Sequence, residues 1–505
     1  MDLFIKNGLV LTFENGTLGG RVIEHGAVAV SGNEIVAIGA TEELEPKYGK
    51  AEKVIDAAGR IVMPGFIVTH THMPYVLGHN MPVDFSQLND FWDMLQKMGW
   101  EWLEDITTKE GVYASTRYAA MKMLKHGTTT VCELVEAPTD MDGVLDYSAK
   151  AVDEVGIRAQ IGYEVTERVV GKSIRTDQLV ENAEAGFAEN VRFIKKYPKG
   201  NGGRIEGRLG VHTAFTNSLE TLKKARAIAD EYGCGVEIHI AEIPRAFLVE
   251  KYGMSAPAFL EKAGLLGSDV VAAHCIDLND EDMEILRRNG VNIAHTPMTN
   301  GLGGNGVARV PEMLEKGMNV TLGHDCFFTL DAAEYLRFAY LVHKAHNANP
   351  NVMFPFQVLD MLLGNAAKAL GKEKEIGSLE VGKKADILIV KPDSPVPTAP
   401  CSAVSYLVNT FQGEHVESVV VDGNLVVENK KMTTVDEAEV EAACVEQAKI
   451  LWRKTAYPCK RRIPAERNGL RNDRCKRDVQ RPLRRGGGRL RQGGQDRTHH
   501  PEKHH

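Results

Sequence analysis

The chain of 505 residues has no run approaching the roughly 20 apolar residues that a membrane span needs. No long apolar run follows basic residues in its first 30 positions, so no secretory leader is expected. Its eight cysteines, at positions 132, 234, 275, 326, 401, 444, 459 and 475, form no Cys-x-x-Cys pair and no regular framework. Reduced thiols in a cytoplasmic protein are the expectation. Internal repeats are absent as well. What is there is globular: 43% hydrophobic and 25% charged residues exclude wholesale disorder, collagen and coiled coil. The length fits one large α/β barrel with additions, or two to four smaller domains.

The net charge of −8 averages two unlike pieces. Positions 453–505 hold 17 Lys/Arg against 5 Asp/Glu, while positions 1–452 hold 43 against 63. The acidic body argues against nucleic acid as a partner. The basic stretch is rich in Arg and Gly and has few apolar residues to pack, so it is expected to be a disordered or non-native tail.

Three zones precede that tail. Residues 1–60 read as short alternating strands punctuated by Asn7-Gly8, Asn15-Gly16 and Gly32-Asn33. Residues 61–370 alternate apolar runs, such as Thr129–Cys132, Leu209–His212, Val236–Ile240, Val270–Ala273, Val291–Ala294 and Asn319–Leu322, with amphipathic helices. Residues 371–432 return to strands, and a helix is expected over 433–452. The pattern predicts an α/β protein: a (β/α)8 barrel over 61–370, plus a small β-sandwich domain that 1–60 and 371–432 build together.

The strongest local signal is Pro64-Gly65-Phe66-Ile67-Val68-Thr69-His70-Thr71-His72. His-x-His at the end of an apolar run puts two imidazoles on one strand face, where they can share a metal ion. Downstream, His239, His274 and Asp325 each follow an apolar run, and Glu242 lies three residues past His239. Barrel enzymes build their active sites at that end of their strands.

The ordered series resembles the amidohydrolase superfamily, in its branch of single-metal aminohydrolases and s-triazine chlorohydrolases. The resemblance rests on segments 64–72, Gly127-Thr-Thr-Thr130, His239-Ile-Ala-Glu242, Ala273-His-Cys275, His295-Thr-Pro-Met-Thr-Asn300, Gly323-His-Asp325 and Gly377–Asp386, and covers residues 1–432. Gly162–Glu167, Glu189–Val211 and Leu341–His346 look most like an aminohydrolase subgroup linked to bacterial selenium-dependent purine metabolism.

The resemblance implies one divalent metal, zinc ahead of iron, on His70, His72, His239 and Asp325, with a coordination position left for water. The metal lowers the pKa of that water. Glu242 is implied as the proton shuttle, Asp325 as a group that helps deprotonate the water, and His274 as the stabiliser of the developing charge. The expected reaction is hydrolytic deamination of a heterocyclic amidine: an aminated purine, pterin, pyrimidine or creatinine-like ring. Cleavage of carbon–chlorine or amide bonds is the alternative; a scaffold that has lost catalysis is disfavoured because all four ligands are present. A mononuclear centre is expected, because no lysine stands at a strand end where a bridging carbamate would form. Family habit implies a homodimer or larger homo-oligomer.

His212, Glu104, His295 and Asn300 are the candidate substrate-binding residues, with His295 and Asn300 read as shaping the loop after the sixth strand. The aromatic group Phe85, Phe91, Trp92, Trp100 and Trp102 is expected mainly as packing. His324 and Cys326 depart from the Thr and Gly of the branch. Neighbours on a strand point to opposite faces, so Cys326 is expected to turn away from the metal. Glu133 stands where the family more often has Asp, at what reads as the third strand end.

Overall fold

A computed structural model describes residues 2–81, 88–171, 183–396 and 398–455. Eight parallel strands form the barrel: β1 (Phe66–Thr71), β2 (Thr128–Val135), β3 (Arg158–Val165), β4 (Leu209–Thr213), β5 (Val236–Ile240), β6 (Val270–His274), β7 (Asn292–His295) and β8 (Val320–Leu322). They pair in sequence order, and a bridge between Thr71 and Asp325 brings β1 back to the end of β8. The His324 amide donates to the His70 carbonyl across that seam at 2.9 Å. β3 escaped the sequence reading. By this count Glu133 lies on the second strand and His295 ends the seventh, one place removed from each expectation.

Helices between the strands start where polar side chains satisfy the free amides of the first turn. Ser218 accepts from Thr221 ahead of Leu219–Tyr232, and Asn279 and Asp282 form a reciprocal box ahead of Asp280–Arg288. Ile67, Cys132, Val271 and Ala294, from four different strands, pack together inside the barrel.

Both ends of the chain build the second layer. Strands from residues 3–64 and 387–432 join into one continuous hydrogen-bonded sheet, with Ile61–Pro64 pairing antiparallel to Ile387–Val390. Irregularities around Gly8 bend it over a core that includes Ile5, Val28, Val62, Ile387 and Val420. Strand 61–64 therefore belongs to the sheet, and the chain crosses into the barrel at Gly65. A Cβ there would sit 2.1 Å from Thr129 Oγ1, so only glycine allows the crossing. Arg158, at the start of β3, pairs with Asp386 and Asp422 and ties barrel to sheet.

A helix spans Glu437–Lys454, as expected over most of its length, and rests on helix Lys109–Lys125. Trp452 Nε1 donates to the Leu77 carbonyl, in the turn that follows the His-x-His strand. Apart from Arg453, Lys454 and Thr455, the basic tail lies outside the described residues. Among the described residues, no helix is long and apolar enough to cross a membrane.

Candidate metal centre and active-site cavity

The barrel's carboxyl end gathers the acid and imidazole groups. Ligand atoms of His70, His72, His239 and Asp325 all lie within 4.8 Å of one another, and all four residues are buried. His72 Nε2 lies 3.1 Å from His239 Nε2, and His70 Nε2 lies 3.2 Å from Asp325 Oδ1.

Each imidazole is oriented from behind. His70 Nδ1 meets Glu237 Oε1 at 2.8 Å, His239 Nδ1 the His212 carbonyl at 2.9 Å, and His72 Nδ1 the Leu134 carbonyl at 3.2 Å. Those acceptors take the Nδ1 protons, so three Nε2 lone pairs converge. Opposed lone pairs repel unless a cation lies among them. The surroundings favour positive charge: burial works against a positive His70, yet the Asp325 and Glu237 carboxylates raise its pKa. Burial likewise opposes ionised Asp325, but His274, His70 and His72 hold it well below the usual carboxylate range. Three imidazoles and one carboxylate suit a divalent transition metal.

Glu242 and His274 border the same spot, with Glu242 Oε1 3.6 Å from His274 Nε2. Burial raises the Glu242 pKa. His274 Nδ1 is fixed by Asn300 Oδ1 at 3.0 Å and Thr296 Oγ1 at 2.9 Å, and its buried Nε2 has no hydrogen-bond partner. Backbone at this rim is strained. Ala241, His274, Cys275, Asp325 and Phe327 all have positive φ, between 52° and 71°.

The cavity above the centre is lined by His72, His239, Glu242 and Asp325 below, and by Phe91, Met94, Leu95, Gly99 and Glu104 from one overlying segment. That segment includes a wide π-type turn, Leu95–Glu101. The cavity measures about 50 Å³.

Residues 61–426 match the amidohydrolase family model. The protein belongs to the amidohydrolase family. It is 37% identical over 445 residues to a 5′-deoxyadenosine deaminase of Methanosarcina acetivorans, covering 87% of this chain and 96% of that protein. A 5-methylthioadenosine/S-adenosylhomocysteine deaminase of Acetivibrio thermocellus is 32% identical over 456 residues, with 89% and 99% covered. Among solved structures, a zinc-bound adenosine deaminase of Xanthomonas campestris superimposes with a TM-score of 0.78 at 23% identity, covering 89% of this chain and 98% of that one.

The substrate-binding candidates divide. Glu104 lines the cavity and is held by Tyr75 Oη and by Arg168 Nη2 at 3.2 Å. His212 lines it too, but its Nε2 faces Glu164 at 3.2 Å. Asn300 holds His274 from behind. His295 turns away from the cavity, because β7 alternation puts Ala294 inside and His295 outside, where its Nε2 meets His343 Nε2 at 3.1 Å.

Phe91 walls the cavity, whereas Trp92 packs against Phe247 and Phe215, and buried Trp100 lies under Arg168. Phe85 lies outside the described residues. Contrary to the alternation expectation, Cys326 joins Asp325 in the cavity wall, since positive φ at Asp325 breaks the strand pattern. Cys326 is not among the clustered ligands, and burial pushes its thiol pKa well up. His324 faces Thr71 and the Phe328 carbonyl, and burial lowers its pKa to about 4. Glu133 accepts from the Met73 amide and braces the turn after His72.

Sequence reasoning missed Glu237, Glu136, Glu164 and Cys132. Glu237 had a usable signal: a buried carboxylate two residues before His239 shares its strand face. Cys132 donates to the other Glu237 oxygen.

Proposed function

We propose that the protein hydrolytically deaminates an adenine nucleoside whose 5′ group carries no negative charge. The reaction class is hydrolysis of a carbon–nitrogen bond in a cyclic amidine, with ammonia released. One observation carries the assignment of roles: four donors converge on one barrel rim, three of them (His72, His239 and Asp325) line a cavity together with Glu242, and His274 Nε2 lies 3.6 Å from Glu242.

His70, His72, His239 and Asp325 hold the metal, with zinc ahead of iron. The bound ion supplies a Lewis acid that brings the ionisation of a water molecule towards neutral pH. Glu242 would take one proton of the water and hand it to the ring nitrogen beside the reacting carbon. Its burial-raised pKa suits a group that must both accept and donate near neutrality. His274, anchored through Nδ1, aims Nε2 at the attacking oxygen and meets the charge that grows on the tetrahedral centre. Asp325 would take the second proton, from the hydroxyl of the tetrahedral centre, and pass it to the amine, which leaves as ammonia.

The nucleoside reading is supported by the names of the two deaminase relatives, and the uncharged 5′ group by the 5′-deoxyadenosine of the first. Glu104 suits substrate hydroxyls, with Tyr75 and Arg168 fixing its carboxylate. Among the described residues that line the cavity there is no Lys or Arg, so a substrate carboxylate or phosphate finds no counter-charge from them.

The test is ammonia release from metal-loaded enzyme on 5′-deoxyadenosine, 5′-methylthioadenosine, adenosine 5′-phosphate, adenine, guanine and a chlorotriazine. Turnover is expected on the two uncharged nucleosides. Preference for the free bases, for the phosphate, or for chloride release overturns the proposal.

A further inference from the structure

Thr299, on helix Pro297–Leu302, lines the same cavity as Glu242, Asp325 and Cys326. It is only 5% exposed, and among the described residues its Oγ1 has no hydrogen-bond partner. A buried hydroxyl left in that state costs free energy until something bound supplies the partner. The Cys326 thiol, a weak donor, lies beside this hydroxyl, and the Asp325 and Glu242 carboxylates act on the thiol more strongly than any other charge. Thr299 and Cys326 thus stand next to the two groups that move protons.

We propose that Thr299 and Cys326 form the seat of the leaving amine and restrict the enzyme to unsubstituted amino groups. This seat presupposes the deaminase reading. A cyclic amidine carries its ring nitrogen and its exocyclic amine on opposite sides of the reacting carbon. With Glu242 serving the ring nitrogen and Asp325 the amine, the amine is directed to the Asp325 side, where Cys326 is the next residue of the wall. An amine conjugated to a heterocycle donates its N–H groups and accepts poorly. One of them meets Thr299 Oγ1, whose lone pairs are free to accept it. Cys326 Sγ takes up the room that a carbon on the same nitrogen would need. Phe327 and Tyr75, packed edge to face at 5.0 Å, continue the lining.

The experiment compares leaving groups on metal-loaded enzyme. Each heterocycle found to release ammonia is paired with its N-methylamino form, 5′-deoxyadenosine first, and kcat/KM is measured for ammonia and for methylamine release. Wild type is expected to favour the amino substrate by about 10–200-fold, the range that one extra carbon is worth in a fitted pocket. C326A removes the sulfur and should narrow that ratio by about tenfold. T299V keeps the shape and loses the acceptor, so kcat/KM on the amino substrate should fall by about 2–10-fold, and T299S should retain it. Melting temperature and bound-metal content check that each variant is folded, and the wild-type ratio needs no variant at all. Methylamine released by wild type as fast as ammonia overturns the proposal. So does an unmoved ratio in folded C326A, or a T299V as active as wild type. Discrimination found only on a heterocycle that is not a nucleoside tells against the nucleoside reading and leaves the seat standing, whereas chloride release without any ammonia release overturns both.

Discussion

His72 Nε2 and His239 Nε2 face each other across 3.1 Å, each with its Nδ1 proton handed to a backbone carbonyl. Such a pair is repulsive until a cation or proton lies near it. Metal removal is therefore expected to cost stability as well as activity. A ligand at a hundred times its Kd stabilises a fold by about 2.7 kcal/mol. Chelated enzyme should melt several degrees lower and release no ammonia, and zinc or iron should restore both. An unchanged melting temperature after full demetallation would remove these histidines as metal ligands.

Glu237 acts through His70. Its Oε1 takes the His70 Nδ1 proton at 2.8 Å and its Oε2 takes the Cys132 thiol, so both oxygens are committed. Partners of this kind typically contribute about 10–100-fold to metal affinity. E237Q can present its amide nitrogen to His70 Nδ1, which then keeps its proton on Nε2 and turns it at the metal. Competition titration with a chromophoric chelator should show affinity falling by about that range, while E237D loses less. Equal affinity in E237Q and wild type contradicts the assigned role.

Glu242 differs from Glu237 because it faces the cavity. General acid–base catalysis is worth about 10²–10⁴-fold, and E242Q should lose kcat/KM by that factor with its metal content intact. Substrate binding in E242Q, read by calorimetry, should remain within about tenfold of wild type. Undiminished turnover would move the proton shuttle to another group.

Much of this was legible in the sequence because each ligand ends an apolar run, and barrel strands deliver such residues to one rim. The exceptions share a cause. β3 carries Arg158, Gln160 and Glu164 at alternate positions, and these polar side chains broke the apolar signal although every β3 residue is buried. Glu237 was hidden in the same way, as a charge inside a strand. His295 shows the reverse error: a strand-ending histidine can face either side, and only the position of Ala294 tells which. At Cys326 the alternation rule failed outright, because Asp325 takes a left-handed backbone that no residue pattern announces.

The outward His295 makes a prediction far from the chemistry. It meets His343 on helix Ala332–His346, both rings are buried, and each has an unpartnered Nδ1. Burial lowers the His343 pKa from 6.5 to about 4, and burial with the His343 and His274 charges lowers that of His295 well below its ordinary value. The unfolded chain thus binds more protons than the folded one between pH 6.5 and 4. Stability from this contact is complete above pH 6.5 and drains away as pH falls through that window. One pKa unit is worth about 1.36 kcal/mol, so moving from pH 6.5 to 5 should cost about 2 kcal/mol through His343 alone. H343L leaves His295 without its partner and should be less stable at pH 7, by about 1–3 kcal/mol. Its loss of stability between pH 6.5 and 5 should nevertheless be shallower than that of wild type. Denaturant titrations at the two pH values measure both quantities, and parallel pH dependence in wild type and H343L would dissociate this pair from the acid sensitivity of the fold.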